Sequence, residues 1–184
     1  MEKLISKSLL SKYRIENLTE STRFFSTIDE KRKRTKLSNE ISVFLSHKHD
    51  EKQIIKDVLI FLNGLGVNVY VDWLDDVMPK TTSGATATRI KEKIKQCDKF
   101  ILLATEAAIA SKWCNWELGY GDANKYFRNI AIMPITDSEE GTYSGSEYLQ
   151  IYPILTSENY YSKGKYFVEF NGSKIRIEDW LNQK

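Results

Sequence analysis

The stretch "KFILLATEAAIASKWCNWELGYG", residues 99–121, decides the fold. Its first seven residues are an apolar run with no polar alternation, as in a strand buried on both faces. A short Ala-rich turn follows, and then a helix for which Ser111 is a suitable N-cap. Working outward, the same grammar repeats. "ISVFLS" (41–46) reads as a buried strand, and the helix opened by Asp50 carries Ile54, Val58, Phe61, Leu62 and Leu65 at helical spacing, with a stop at Asn63-Gly64. "VNVYVDW" (67–73) is a second strand, a helix from about Ala85 to Gln96 comes next, and "NIAIMPIT" (129–136) follows our opening stretch as another strand. Strict alternation of apolar strands with helices predicts an α/β domain: a parallel sheet covered by helices on both faces.

Past the polar loop "DSEEGTYSGSE" (137–147), "YPILT" (152–156) is a candidate fifth strand. "KYFVEFNGSKIRI" (165–177) reads as a hairpin turning at Asn171-Gly172, and "EDWLNQ" (178–183) as a closing helix. Before the first strand, residues 3–28 have enough apolar content for one or two helices. The expected organisation is therefore an N-terminal, helical extension over 1–39 and a domain over 40–184, whose core motifs lie in 40–135 and whose remainder, 136–184, is divergent.

The 184-residue chain has 41% hydrophobic residues and a formal charge of +2, which suits one main globular core. No run approaches the roughly 20 apolar residues of a membrane span, and nothing resembles a signal-peptide core. The expectation is a cytoplasmic protein with no membrane partner. Its two cysteines, Cys97 and Cys114, fit reduced thiols. Residues 1–40 carry +4 and the rest −2, so the basic excess, centred on "EKRKRTK" (30–36), is local and reads as a solvated run. No aromatic-basic alternation suggests a nucleic-acid surface, and "NGLG" (63–66) matches neither a dinucleotide fingerprint nor a P-loop.

Ligands of open parallel sheets bind beyond the strands' carboxyl ends, where neighbouring connections leave to opposite faces. In a flavodoxin-like strand order that point lies between Ser46-His47 and Ala104-Thr105. The helix after Ser111 brings Trp113, Glu117 and Tyr120 to this edge on one face. Two readings of Glu117 stand: an acid solvated or paired with Lys112, Lys125 or Arg128, or an acid held without a cation because it belongs to a site. Ser46, His47, Lys48 and His49 leave the first strand beside the same edge, where they are candidates to bind a ligand. His47 and His49 are the only histidines, and with no cysteine or acid at ligand spacing the sequence supports no metal site. Asp72 ends the second strand and either belongs to the site or caps the following loop.

Taken together, "VFLSHKHDEK" (43–52), "VYVDW" (69–73), the 99–121 stretch and "IAIMPI" (130–135) resemble the Toll/interleukin-1 receptor (TIR) domain family, particularly prokaryotic, Thoeris-like antiphage members. The serine, tryptophan and glutamate spacing of "SKWCNWEL" is the most specific part. The resemblance implies a flavodoxin-like sheet and cleavage of NAD+ at its nicotinamide-ribose bond. It places Glu117 in the position of the family's catalytic glutamate, with Trp113 four residues before it, and implies binding roles for Ser46, His47, Lys48 and Asp72. It also implies that "LDDVMPKTTSGATA" (74–87) is a variant of the loop the family uses for self-association and gating. NAD+ is then a substrate rather than a cofactor. The expected function is an NAD+ glycohydrolase or cyclase giving nicotinamide and ADP-ribose or a cyclic ADP-ribose isomer, which signals to a separate effector in antiphage defence. The alternative is a non-catalytic TIR–TIR interaction scaffold.

Overall fold

The computed structural model describes residues 2–17, 41–75, 78, 83–137, 143, 145–158 and 165–183. The basic run 30–36, any second helix before residue 28 and most of the 76–82 loop lie outside the described residues.

Five parallel strands form the sheet's centre: β3 (Ser42–Ser46), β4 (Asn68–Tyr70), β5 (Lys99–Ala104), β6 (Ile130–Thr136) and β7 (Ile154–Glu158), in the order β4-β3-β5-β6-β7. Each parallel crossover carries a helical segment, the principal ones being α2 (Lys52–Gly64), α3 (Gly84–Gln96) and α5 (Lys112–Asn124), with a short α4 (Glu106–Ile109) just ahead of α5. Antiparallel β8 (Lys165–Phe170) and β9 (Ser173–Arg176) extend the sheet beyond β7, turning at Asn171-Gly172 as the sequence predicts, and α6 (Ile177–Asn182) closes the chain.

Period-two alternation divides the core in two. Val43 and Leu45, Ile101 and Leu103, and Ala131 and Met133 pack with α2 and α6 on one face. Phe44, Phe100, Leu102, Ala104, Ile130 and Ile132 pack with α3, α4 and α5 on the other. Gly121 is what lets α5 lie close to the sheet: a Cβ there would sit 3.1 Å from the Phe100 ring. Helix α2 runs through Asn63-Gly64, and the chain turns instead at Gly66, whose φ of 78° is the left-handed conformation a helix end commonly requires.

The sequence sets residues 1–39 apart as an extension, but the structure stitches residues 2–16 into the domain. β1 (Glu2–Lys3) pairs antiparallel with β7, β2 (Ile5–Ser6) pairs parallel with β6, and α1 (Lys7–Glu16) packs on α2. Ile5 and Leu10 are buried in the α2-side core, and Arg14 pairs with the buried Asp57 at 2.8 Å. Two-residue strands are invisible to periodicity, which explains why the sequence does not reveal this docking.

Leu10 therefore behaves as a core residue. Leu10→Ala should cost about 2–4 kcal/mol in urea unfolding, whereas Ile15→Ala on the exposed face of α1 should leave stability nearly unchanged.

Candidate active site

Strand register assembles the site at the carboxyl edge of β3, β4 and β5. Ser46, the last residue of β3, is opposite Leu102 on β5. Phe44 is opposite Tyr70, where β4 ends, and Asp72 opens the short 3-10 turn that follows, Asp72–Leu74. Phe44 and Tyr70 pack on the α3–α5 side, and alternation along β3 turns Ser46 to that side too. There Ser46 meets α5, which starts at the Ser111 cap, whose hydroxyl accepts from the Cys114 amide.

Glu117 is 3% exposed. Its Oε2 accepts a 2.5 Å hydrogen bond from the Ser46 hydroxyl. Burial pushes its carboxyl up to about 8; the nearby Asp72 adds to the rise, while the Ser46 bond, His49 and the Trp113 side chain oppose it. None of the three cations weighed from sequence neutralises it. Lys125 donates to the Cys97 carbonyl, Arg128 lies over the Tyr126 ring and Lys112 is exposed. Among the described residues no salt bridge reaches Glu117.

Asp72 is buried between the two histidines, with Oδ2 2.6 Å from His49 Nε2 and Oδ1 3.4 Å from His47 Nε2. Burial lowers the His47 pKa despite Asp72, whereas the hydrogen bond to Asp72 raises that of the half-exposed His49. The His47 main chain also accepts from Cys114 Sγ at 3.3 Å, which fixes the loop after β3 against α5. Cys114 is a buried thiol whose pKa is raised by burial, and it serves packing.

Of the residues singled out from sequence, Ser46, His47, Asp72, Trp113 and Glu117 are brought together. Lys48, part-exposed, lies 3.9 Å from the exposed Asp50 and close enough to His49 and Cys114 to act on both electrostatically. The aromatic face also differs. Tyr120 stacks on Trp116 at 6.1 Å, and Lys91 of α3 covers both rings, so this pair cements α3 to α5 rather than flanking Glu117. Trp113 lies 4.9 Å from Trp116. One partnership that the sequence reading overlooks is Glu51 accepting from Thr105 Oγ1 at 2.5 Å, which ties the start of α2 to the end of β5. Another is Asp75, which accepts from Tyr70 and Arg89 and anchors the start of the loop after β4. Both acids sit beside turns, where an ordinary capping role hides them.

The strand order, the buried acid on α5 and the motif spacing converge with a model of the TIR domain, which matches residues 43–162. The chain belongs to the TIR domain family. Among curated TIR-type relatives, it is 31% identical over 147 residues to "Probable 3' cyclic ADP-D-ribose synthase ThsB'" of Bacillus cereus (strain MSX-D12), covering 77% of this chain and 75% of the relative. It is 27% identical over 134 residues to "Putative cyclic ADP-D-ribose synthase TIR2" of Cytobacillus dafuensis, covering 68% of this chain and 35% of that longer protein. No helix among the described residues of this TIR chain is long and apolar enough to cross a membrane.

The raised Glu117 pKa has a definite sign in stability. Between its ordinary 4.5 and about 8 the folded state holds the extra proton. The stability given by the neutral carboxyl is therefore complete below about 4.5 and is lost as pH rises through 8. Glu117→Gln should raise the melting temperature relative to the parent at about pH 9, and the gain should shrink towards zero near pH 5; melting both proteins across that range checks it.

Proposed function

We propose that this TIR domain cleaves NAD+ at the nicotinamide-ribose bond and joins the ends into a cyclic ADP-ribose, with Glu117 as the catalytic residue. The observation that carries this reading is a carboxylate buried beside Ser46 with no salt bridge to it among the described residues. An acid held this way is costly when charged. The nicotinamide ring of NAD+ is itself a cation and supplies the missing positive charge on binding.

The chemistry requires little more. As the C1–N bond breaks, its electron pair moves to the ring nitrogen, and nicotinamide departs neutral, so no acid is needed to protonate it. Ordinary glycosidases use a second carboxyl for that task. Positive charge grows on the anomeric carbon and ring oxygen, and Glu117 stabilises it from a preorganised position. A hydroxyl of the other ribose then bonds to that carbon and loses its proton, which a carboxylate titrating near neutrality is suited to accept. Water entering instead gives linear ADP-ribose. Trp113 offers a flat surface for the nicotinamide, and His49 with Asp72 flanks the sugar-diphosphate. The names of both relatives support cyclisation. By the same likeness we assign the protein to antiphage signalling, in which its product acts on a separate effector and TIR domains self-associate to complete the site.

Incubation of the purified protein with NAD+ over a range of protein concentrations should release nicotinamide and a cyclic product identified by chromatography and mass spectrometry. Glu117→Gln should reduce release by about 100-fold or more. No release, or undiminished release from Glu117→Gln, rejects the reading. The pH profile of kcat/KM should rise through the Glu117 titration. Removing the Ser46 hydroxyl takes away a bond that favours the charged carboxylate, so Ser46→Ala should move that rise to higher pH.

A further inference from the structure

The environment of His47 contains an unusual conflict. The ring is 4% exposed, and its Nδ1 lies 2.9 Å from the Leu45 carbonyl oxygen. A carbonyl only accepts, so Nδ1 carries the proton, and in the neutral ring Nε2 presents a lone pair. That buried Nε2 has no hydrogen-bond partner among the described residues, and it faces the Asp72 carboxylate 3.4 Å away. Two acceptors facing each other in a dry place repel unless something electron-poor lies between them.

His49 completes the arrangement. A ring nitrogen of His49, a ring nitrogen of His47 and an Asp72 oxygen all lie within 4.8 Å of one another. Around a tetrahedral ion with bonds of about 2.0–2.1 Å, neighbouring ligand atoms are about 3.3 Å apart. The His47–Asp72 separation already has that value. The widest gap in the set must close by about 1.5 Å at most and the 2.6 Å His49–Asp72 hydrogen bond must open, and the half-exposed His49 has the freedom to make both adjustments. The Leu45 carbonyl does for His47 what an outer partner does for most metal-bound histidines: it fixes the tautomer and aims the free nitrogen.

We propose that His47, His49 and Asp72 form a binding site for a divalent transition-metal ion of the zinc class. Two neutral imidazoles and one carboxylate match the preference of Zn2+ and Co2+ over Mg2+ or Ca2+, which favour all-oxygen sets. Three protein ligands leave a fourth position on the solvent side of His49, open to water or an anionic oxygen. Spacing along the sequence does not reveal this set, because His47 and His49 come from the loop after β3, while Asp72 comes from the turn after the neighbouring strand β4. The site shares His49 and Asp72 with the surface proposed to flank NAD+, but metal binding by these three side chains is read without nucleotide.

The test uses metal alone, without nucleotide. Co2+ titrated into the chelator-treated full chain should produce visible d–d bands that saturate at one equivalent, be displaced by Zn2+, and raise the melting temperature. His49→Ala, at a half-exposed position that leaves the fold intact by circular dichroism, should weaken binding by about tenfold or more; Asp72→Asn should do the same. Asp50→Asn, an exposed acid in the same loop, should bind as the parent does. Absence of bands and of any thermal shift at large metal excess overturns the proposal. So does binding that persists unchanged in His49→Ala, or that fails to saturate at one equivalent. Because nicotinamide release is measured separately, failure here is distinguishable from failure of the enzymatic reading.

Discussion

A short hydrogen bond between the Ser46 hydroxyl and the Glu117 carboxyl joins the end of β3 to the helix that covers it. The rest of the edge is arranged around that contact. Its members come from parts of the chain 71 residues apart, so it exists only when β3, β5 and α5 are all in register. The contrast with another deeply buried ionisable group is instructive. Lys99, 1% exposed, donates to Asn129 Oδ1 and the Gln183 carbonyl and lies under the Trp180 ring. Every direction of its ammonium has an answer within the protein, as expected of a structural peg. Glu117 instead has a single hydroxyl, that of Ser46, where an ion pair would be expected.

The central fold was legible because its strands advertise themselves. Runs such as Phe100–Ala104 and Ile130–Met133 have no polar alternation, so they declare burial on both faces, and the helices between them follow from capping serines and apolar spacing. The closing hairpin was equally readable from Asn171-Gly172. The docking of residues 2–16 was not, because two-residue strands leave no period to detect and their partners lie at the far end of the chain.

The candidate site was partly legible for a different reason. Glu117 and Trp113 share one helix, so their relation is a matter of sequence spacing, and Ser46 follows from the rule about strand ends. The pairing of Asp72 with both histidines depends on the offset between β3 and β4, and a slip of one residue would carry Asp72 away from them. No pattern within either segment encodes that offset. The same blindness explains Tyr120: helical spacing placed it with Glu117, but its ring turned to Trp116 because Lys91 on a neighbouring helix was there to cover the stack.

The pairing of β1 and β2 also bears on how this chain is made. β6 and β7 share one registered pair, Ile132 with Ile154, while β2 binds β6 and β1 binds β7. Ser157 donates to the Lys3 carbonyl across 154 residues of chain. The amides of β1 and β2 must therefore wait for strands made about 130–150 residues later in the chain before they find partners, and closing so long a loop is entropically slow. Whatever is joined ahead of residue 2 hangs directly from the seam between β6 and β7.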